Sequence, residues 1–303
     1  MISVCIPVYN VDVNGLAAQL SDEIQTLGVP AEAIFMDDGS SGEILILNRE
    51  INNLPGICYV ETFENTGRAA IRNKLGRRAV FPWLLFLDAD SLLPEKGFLP
   101  RYMAAMAENT VVCGGTSYHR VPPADQLQRL RWKYGIHREQ LTAQIRSKRS
   151  SYAITSNNFL LPRDIFLGTG FREEIKGYGH EDTILGFDLI KKGIIIKHID
   201  NPVIHTGLES SAEYLGKTRS ALRNLLFIQD LLASDKEFIR SSGLLRQLQG
   251  LESIKLIRPA AFVFRLTEHQ LVKNLTGPHP SLVLFDLYRL GYLCQSRKSC
   301  KGK

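Results

Sequence analysis

The chain has 303 residues, 44% of them hydrophobic and 22% charged, the balance of a folded soluble protein with room for one large domain and a smaller appendage. Its net charge of +6 is uneven: residues from Ser210 onward hold 15 Lys and Arg against 7 Asp and Glu, whereas the first 209 hold 22 against 24. Five scattered cysteines without CxxC spacing argue against a disulfide framework, and no stretch reaches the roughly 20 apolar residues that span a bilayer.

The first half alternates short β-like runs with helical stretches. Residues 1–7 lack the basic and long apolar regions of a signal peptide and resemble a first strand, so the expected address is the cytoplasm. Residues 3–8 read as a strand, 15–27 as a helix, 33–36 as a second strand ending at Asp37-Asp38-Gly39-Ser40-Ser41, and 57–62 as a third. A helix over 66–78 follows. Then comes Trp83-Leu84-Leu85-Phe86-Leu87, short and uninterrupted like a strand buried on both faces. Strands separated by helices of this length build βαβ units and a mostly parallel sheet. Further on, 126–149 reads as an amphipathic helix loosening into a basic loop, 184–190 as an apolar helix, and 194–199 as a strand. From Ser210 the pattern is helical.

Asp88-Ala89-Asp90 stands where the 83–87 run stops, at the rim where open α/β sheets bind ligands. Two carboxylates one residue apart repel unless a cation or ligand donors lie between them. Asp37 and Asp38 end another apolar strand; a carboxylate there accepts the imide N–H of uracil or the amino group of guanine, or else forms a plain Asp-Gly-Ser turn. Arg68 and Arg72, four apart, share a helix face just after Asn65-Thr66-Gly67, where Asn65 or Thr66 can cap the helix. A guanidinium fork there holds a diphosphate or a base edge, unless it is simply solvated. Glu181-Asp182 opens a helix, where acids favour the N-terminus or, in a site, take a proton. Gly177 and Gly179 beside it allow close backbone approach.

In this order, Pro7-Val8-Tyr9-Asn10, Asp37-Asp38-Gly39-Ser40, Asn65-Thr66-Gly67 with Ala70-Ile71-Arg72-Asn73, and Asp88-Ala89-Asp90 resemble the motifs of glycosyltransferase family 2. Gly177-Tyr178-Gly179-His180-Glu181-Asp182 resembles the Gly-aromatic-Gly-x-Glu-Asp segment of its galactosyl- and N-acetylhexosaminyl-transferring branches, and the resemblance covers about residues 1–207. It implies the GT-A fold, an α/β Rossmann-like, mostly parallel sheet flanked by helices, over residues 1–209; the helical spacing and basic excess beyond mark 210–303 as a basic helical C-terminal extension. It also implies inverting, metal-dependent transfer of a hexose or N-acetylhexosamine from a nucleotide-diphosphate sugar, a UDP-sugar by preference, to a glycan or lipid-linked hydroxyl. By the same resemblance Pro7, Tyr9, Asp38, Arg68, Arg72, Asp88 and Asn157 bind the nucleotide sugar, while Asp90 and His205 ligate Mn²⁺ or Mg²⁺. Asp182 is then the general base and Glu181 holds acceptor hydroxyls. One segment departs from the pattern: Arg172 in Thr169-Gly170-Phe171-Arg172-Glu173 stands where the family usually has an acid, which bears on donor or acceptor preference. A non-catalytic nucleotide-sugar-binding scaffold in a glycan-assembly complex is the rival reading, and the intact acids count against it.

Short apolar runs at 259–264 and 280–285, flanked by Arg258, Arg265, Arg289, Arg297 and Lys298, suit a helix lying in a lipid headgroup region or a helical subdomain. No aromatic-interleaved basic groove appears, so nucleic acid is not an expected partner.

Overall fold

A computed structural model describes residues 1–149, 154–232 and 235–300; the side chains of Lys236, Lys298, Ser299 and Cys300 lie outside what is described. The chain opens with β1 (Ile2–Val8), α1 (Asn14–Thr26), β2 (Ala31–Asp37), α2 (Glu43–Arg49), β3 (Ile57–Glu61), α3 (Arg68–Arg78) and β4 (Trp83–Leu87). It continues through β5 (Ser91–Leu92), α4 (Phe98–Ala105), β6 (Thr110–Cys113), β7 (Thr116–Ser117), α5 (Arg129–Tyr134), α6 (Ala143–Ser147), β8 (Asn158–Pro162) and α7 (Arg163–Thr169). After α8 (Glu181–Lys191), β9 (Ile195–His198) and β10 (Val203–His205), the rest is helical: α9 (Ser211–Leu231), α10 (Lys236–Ser241), α11 (Gly243–Ser253), α12 (Ile257–Leu275) and α13 (Leu282–Cys300).

Seven of the described strands form one sheet in the order β3-β2-β1-β4-β8-β6-β9. Within it β1, β2, β3 and β4 run parallel, and β8 is antiparallel to both its neighbours. The chain builds outward from β1 to β3 and then returns to place β4 on β1's other side. That reversal is a topological switch point, which opens a crevice at the strands' carboxyl ends. A small second sheet, β5-β10-β7, pairs His205 with Ser91, the residue after Asp90.

Alternation along the strands explains why the sheet is stable. In β4, Leu85 and Leu87 enter one hydrophobic cluster with Ile2, Val4, Ile6 and Val8, whereas Leu84 and Phe86 enter another on the opposite face. Phe86 stacks on Phe159 with ring centroids 5.1 Å apart. An uninterrupted apolar run is what a strand covered on both faces requires.

The chain divides into two compact units. One comprises residues 1–119, 138–176 and 181–207, and holds the sheet. The other comprises 120–137, 177–180 and 208–303. Its core packs Leu130, Tyr214, Leu215, Phe264, Phe285 and Tyr288. Helix α9 starts with a reciprocal capping box between Ser210 and Glu213, which satisfies backbone donors that a helix start otherwise leaves bare.

The 126–149 stretch is not one amphipathic helix. It breaks into a 3₁₀ turn, α5, a π-helical turn over Gly135–Glu139 and α6. Two of its basic residues, Arg146 and Arg131, are spent internally. Arg146 donates to the carbonyls of Cys113, Gly114, Leu141 and Ile199, and approaches His198 Nδ1 at 2.8 Å. Burial and that cation push His198 down to about 4. Arg131, nearly buried, lies 3.3 Å from Glu209 and 5.2 Å from the Tyr214 ring centre. No described helix is long and apolar enough to cross a membrane.

Candidate active site

The site residues converge from the ends of β1, β2 and β4, the start of α3 and the start of α8. At the end of β2 both acids are heavily engaged. Asp37 accepts from the Ser40 backbone N–H at 2.6 Å and the Tyr59 hydroxyl at 2.5 Å. Asp38 accepts from the backbone N–H and hydroxyl of Thr66 and the backbone N–H of Gly67, each at 2.8 Å. Neither Asn65 nor Thr66 caps α3 with its side chain; Gly67 is the N-cap residue, at φ +85°, and Asp38 holds the two backbone donors leading into the helix. Gly39 also needs its missing side chain, because a Cβ there would lie 2.9 Å from the Asn65 nitrogen. Beside this turn, Asn10 donates its backbone N–H to Ser40 Oγ at 2.7 Å, and the preceding Tyr9 side chain is 52% exposed. Pro7 is partly buried within β1.

Arg72 lies at the centre of the next group. It is 2% exposed and donates to Asp88 Oδ1 at 2.5 Å. Its other terminal nitrogen donates to the Arg68 carbonyl and lies 3.7 Å from Glu181 Oε1. Arg68, more exposed, donates to the same Glu181 oxygen at 3.0 Å. One buried guanidinium therefore joins the first acid after β4 to the first acid of α8. Burial favours the neutral form of Glu181, but the charges of Arg68 and Arg72 outweigh it and hold the carboxyl below its ordinary value.

Asp182 sits next in sequence and in a different field. Burial and the adjacent Glu181 charge push its carboxyl up to about 6, against the opposing effect of the Thr183 backbone N–H, which donates to Oδ1 at 2.6 Å. A carboxylate with that affinity is ionised at neutral pH and basic enough to accept a proton from an attacking hydroxyl.

Asp90 faces the other way. His205 Nδ1 lies 3.3 Å from Asp90 Oδ1, and Thr206 donates both its backbone N–H and its hydroxyl to the Asp90 carbonyl. The edge of Tyr118 contacts the His205 ring, with centroids 5.5 Å apart. Gly207 leaves no room for a side chain, since its Cβ would stand 2.2 Å from Asp90 Oδ2. Carboxylate oxygen with imidazole nitrogen is a donor set that fits Mn²⁺ better than Mg²⁺. Among the described residues no three His, Cys, Asp or Glu side chains gather into a metal cage. A cation at Asp90 and His205 would therefore need further ligands from outside these two side chains.

Asn157 donates to Thr116 Oγ1 at 2.8 Å, its carbonyl accepts from the Asp88 backbone, and its buried Oδ1 has no hydrogen-bond partner among the described residues. Asn158 is wholly structural, bonded to Tyr102 and to the carbonyls of Gly115 and Asn201.

Three residues take positioning roles that the sequence did not assign to them. Gly207 adjoins Asp90 as described. Asn73 pairs with the backbone of Phe171, donating at 2.9 Å and accepting at 2.8 Å, and also donates to Glu173. Arg172, where an acid is usual, forms a two-pronged pair with Asp188 of α8 at 2.7 and 2.6 Å. A fixed Arg172–Asp188 pair steadies the helix that carries Glu181 and Asp182. The glycines before that helix serve the other unit: a Cβ on Gly179 would reach Ala221 of α9 at 2.6 Å, and Asn224 donates to the carbonyls of Tyr178 and Gly179.

Comparison with known proteins places this architecture. An uncharacterized glycosyltransferase of Rickettsia conorii is 35% identical over 120 residues, which are 40% of this chain and 19% of that protein. A second, from Rickettsia felis, is 30% identical over the same shares. The chain thus spans about a fifth of the length of these curated relatives. Among solved structures, the mannosyltransferase PcManGT from Pyrobaculum calidifontis, in complex with GDP-Man and Mn²⁺, superposes with a TM-score of 0.63 at 14% identity, covering 100% of this chain and 87% of that one. S. aureus TarS 1–349 gives 0.51 at 17% identity, covering 100% and 92%. These likenesses show the fold, which is GT-A. The family description "Glycosyl transferase family 2" matches residues 3–167, more than half of the chain and the span of β1 to α7. The chain belongs to glycosyl transferase family 2.

Proposed function

We propose that this chain is an inverting glycosyltransferase that moves a hexose or N-acetylhexosamine from a UDP-sugar to a hydroxyl of a glycan or lipid-linked acceptor. Asp38 and the exposed Tyr9 receive the nucleobase end, and Asp88 receives the ribose or sugar. Asp182 takes the proton of the acceptor hydroxyl as its oxygen bonds to the anomeric carbon and the bond to the departing diphosphate breaks. Glu181, fixed by two arginines, orients acceptor hydroxyls without competing for that proton. Asp90 and His205 would hold a divalent cation, which when bound neutralises charge on the leaving diphosphate.

The observation that carries this reading is the divided behaviour of Glu181 and Asp182. Two adjacent carboxyls are driven apart, one held low by Arg68 and Arg72 and the other raised to about 6. Splitting of this kind marks acid–base sites. A peripheral position on the inner face of the cytoplasmic membrane would bring such an enzyme to a lipid-linked acceptor. The test is nucleotide release from a panel of nucleotide sugars with Mn²⁺ and candidate acceptors. Release that depends on acceptor and on Asp182 supports the reading. Nucleotide binding with no release from any donor favours the scaffold.

A further inference from the structure

We propose that the outward face of α12 is a contact surface for an anionic lipid bilayer. On this helix Ala261 and Phe264 are buried in the helical unit's core, so its inner face is already satisfied. Its outer face nevertheless exposes Phe262, Val263 and Leu266 at 53, 57 and 61%. Phe262 and Leu266 are four residues apart and so lie one above the other on a single helix face. Ile254 and Leu256 add exposed apolar surface just before the helix. Neighbouring exposed apolar side chains of this kind mark an interaction surface, unlike ones scattered singly.

The charge pattern names the occupant. Lys255, Arg258, Arg265 and Lys273 are exposed along this segment, and Arg265 lies 5.7 Å from the centre of the Phe262 ring. The segment's one acid, Glu268, is turned to Arg219, which donates to it at 3.0 Å. An apolar strip rimmed by cations and free of outward acids suits a helix lying in the headgroup layer, its chains in the acyl boundary and its arginines at the phosphates. A second copy is the poorer occupant, because it would bring the same positive charges against the face. The inference rests on the proposed reading only in placing the acceptor on that membrane; lipid binding itself needs no turnover.

Co-sedimentation of the full chain with phosphatidylcholine vesicles, with and without phosphatidylglycerol, tests it. The wild type should partition onto the anionic vesicles, weakly onto the neutral ones, and should be released by salt. The double variant Phe262→Ser, Leu266→Asp should lose at least about tenfold in partitioning. Losing both positive charges, in Arg258→Gln with Arg265→Gln, should cost about 25-fold, from roughly fivefold per arginine. Circular dichroism verifies the fold, and donor hydrolysis on the same preparations separates a failure of lipid binding from a failure of the enzymatic reading. The proposal is overturned if the wild type ignores anionic vesicles, or if both variants bind as the wild type does. A wild-type dimer that Leu266→Asp dissolves would also overturn it, giving the face to a second copy.

Discussion

The Asp88-Ala89-Asp90 turn and the Glu181-Asp182 helix start are far apart in sequence and divide their acids in the same way. In each, the first acid faces Arg72: Asp88 at 2.5 Å and Glu181 at 3.7 Å. In each, the second acid looks elsewhere, Asp90 to His205 and Asp182 to Thr183. The difference teaches that a buried arginine sorts carboxylates. Those beside it serve as its counter-ions, and those beyond it make their contacts elsewhere. Residue type alone does not separate Glu181 from Asp182. Distance to Arg72 and Arg68 does.

Asp90→Ala should have the largest effect on chemistry. It removes one of the two proposed cation ligands and should lower Mn²⁺-dependent nucleotide release on the order of a thousandfold, several kcal/mol of stabilisation. Steady-state release against Mn²⁺ concentration checks this. Arg72→Ala should have the largest effect on stability, because it leaves Asp88 without its 2.5 Å partner and Glu181 with Arg68 alone. Removing one partner of a buried ion pair costs about 3–5 kcal/mol, readable by urea unfolding. Gly207→Ala should act between these, displacing the Asp90 carboxylate and raising the Mn²⁺ concentration for half-maximal activity while the melting temperature stays near wild type. Arg68→Ala should matter less to folding than Arg72→Ala, since Arg68 is partly exposed and Arg72 still faces Glu181.

Much of the frame was legible beforehand. The apolar run 83–87 is β4 to the residue, because a strand covered on both faces leaves an unbroken signature. The order of acids and glycines along the first half likewise anticipated the GT-A sheet. What the sequence did not reveal is how charges pair across long separations. Arg146 and Arg131 read as a basic stretch but are folded inward onto carbonyls and Glu209. Asp38 caps a loop 28 residues away, a contact that no local pattern encodes. Gly207 has no motif around it; only the nearness of Asp90 explains why a side chain is not accommodated. The apolar run 259–264 also split, with Phe264 in a core and Phe262 exposed, as the helical period dictates once its inner face is known.

Whether Asp182 is the base is decided by the pH dependence of transfer in the wild type and in Asp182→Asn. A base must be deprotonated, so wild-type kcat/KM should fall tenfold per pH unit below an apparent pKa of about 6 and level off above it. Asp182→Asn should bind UDP as the wild type does, lose about 10²–10⁴-fold in transfer, and lose that acidic limb. Its unfolding should change too. A folded-state carboxyl raised above its unfolded value keeps a proton that the unfolded chain releases, so wild-type stability carries a component that declines as pH rises from about 4 to about 6; the variant should lack it. Full transfer by Asp182→Asn with the same acidic limb would contradict the account.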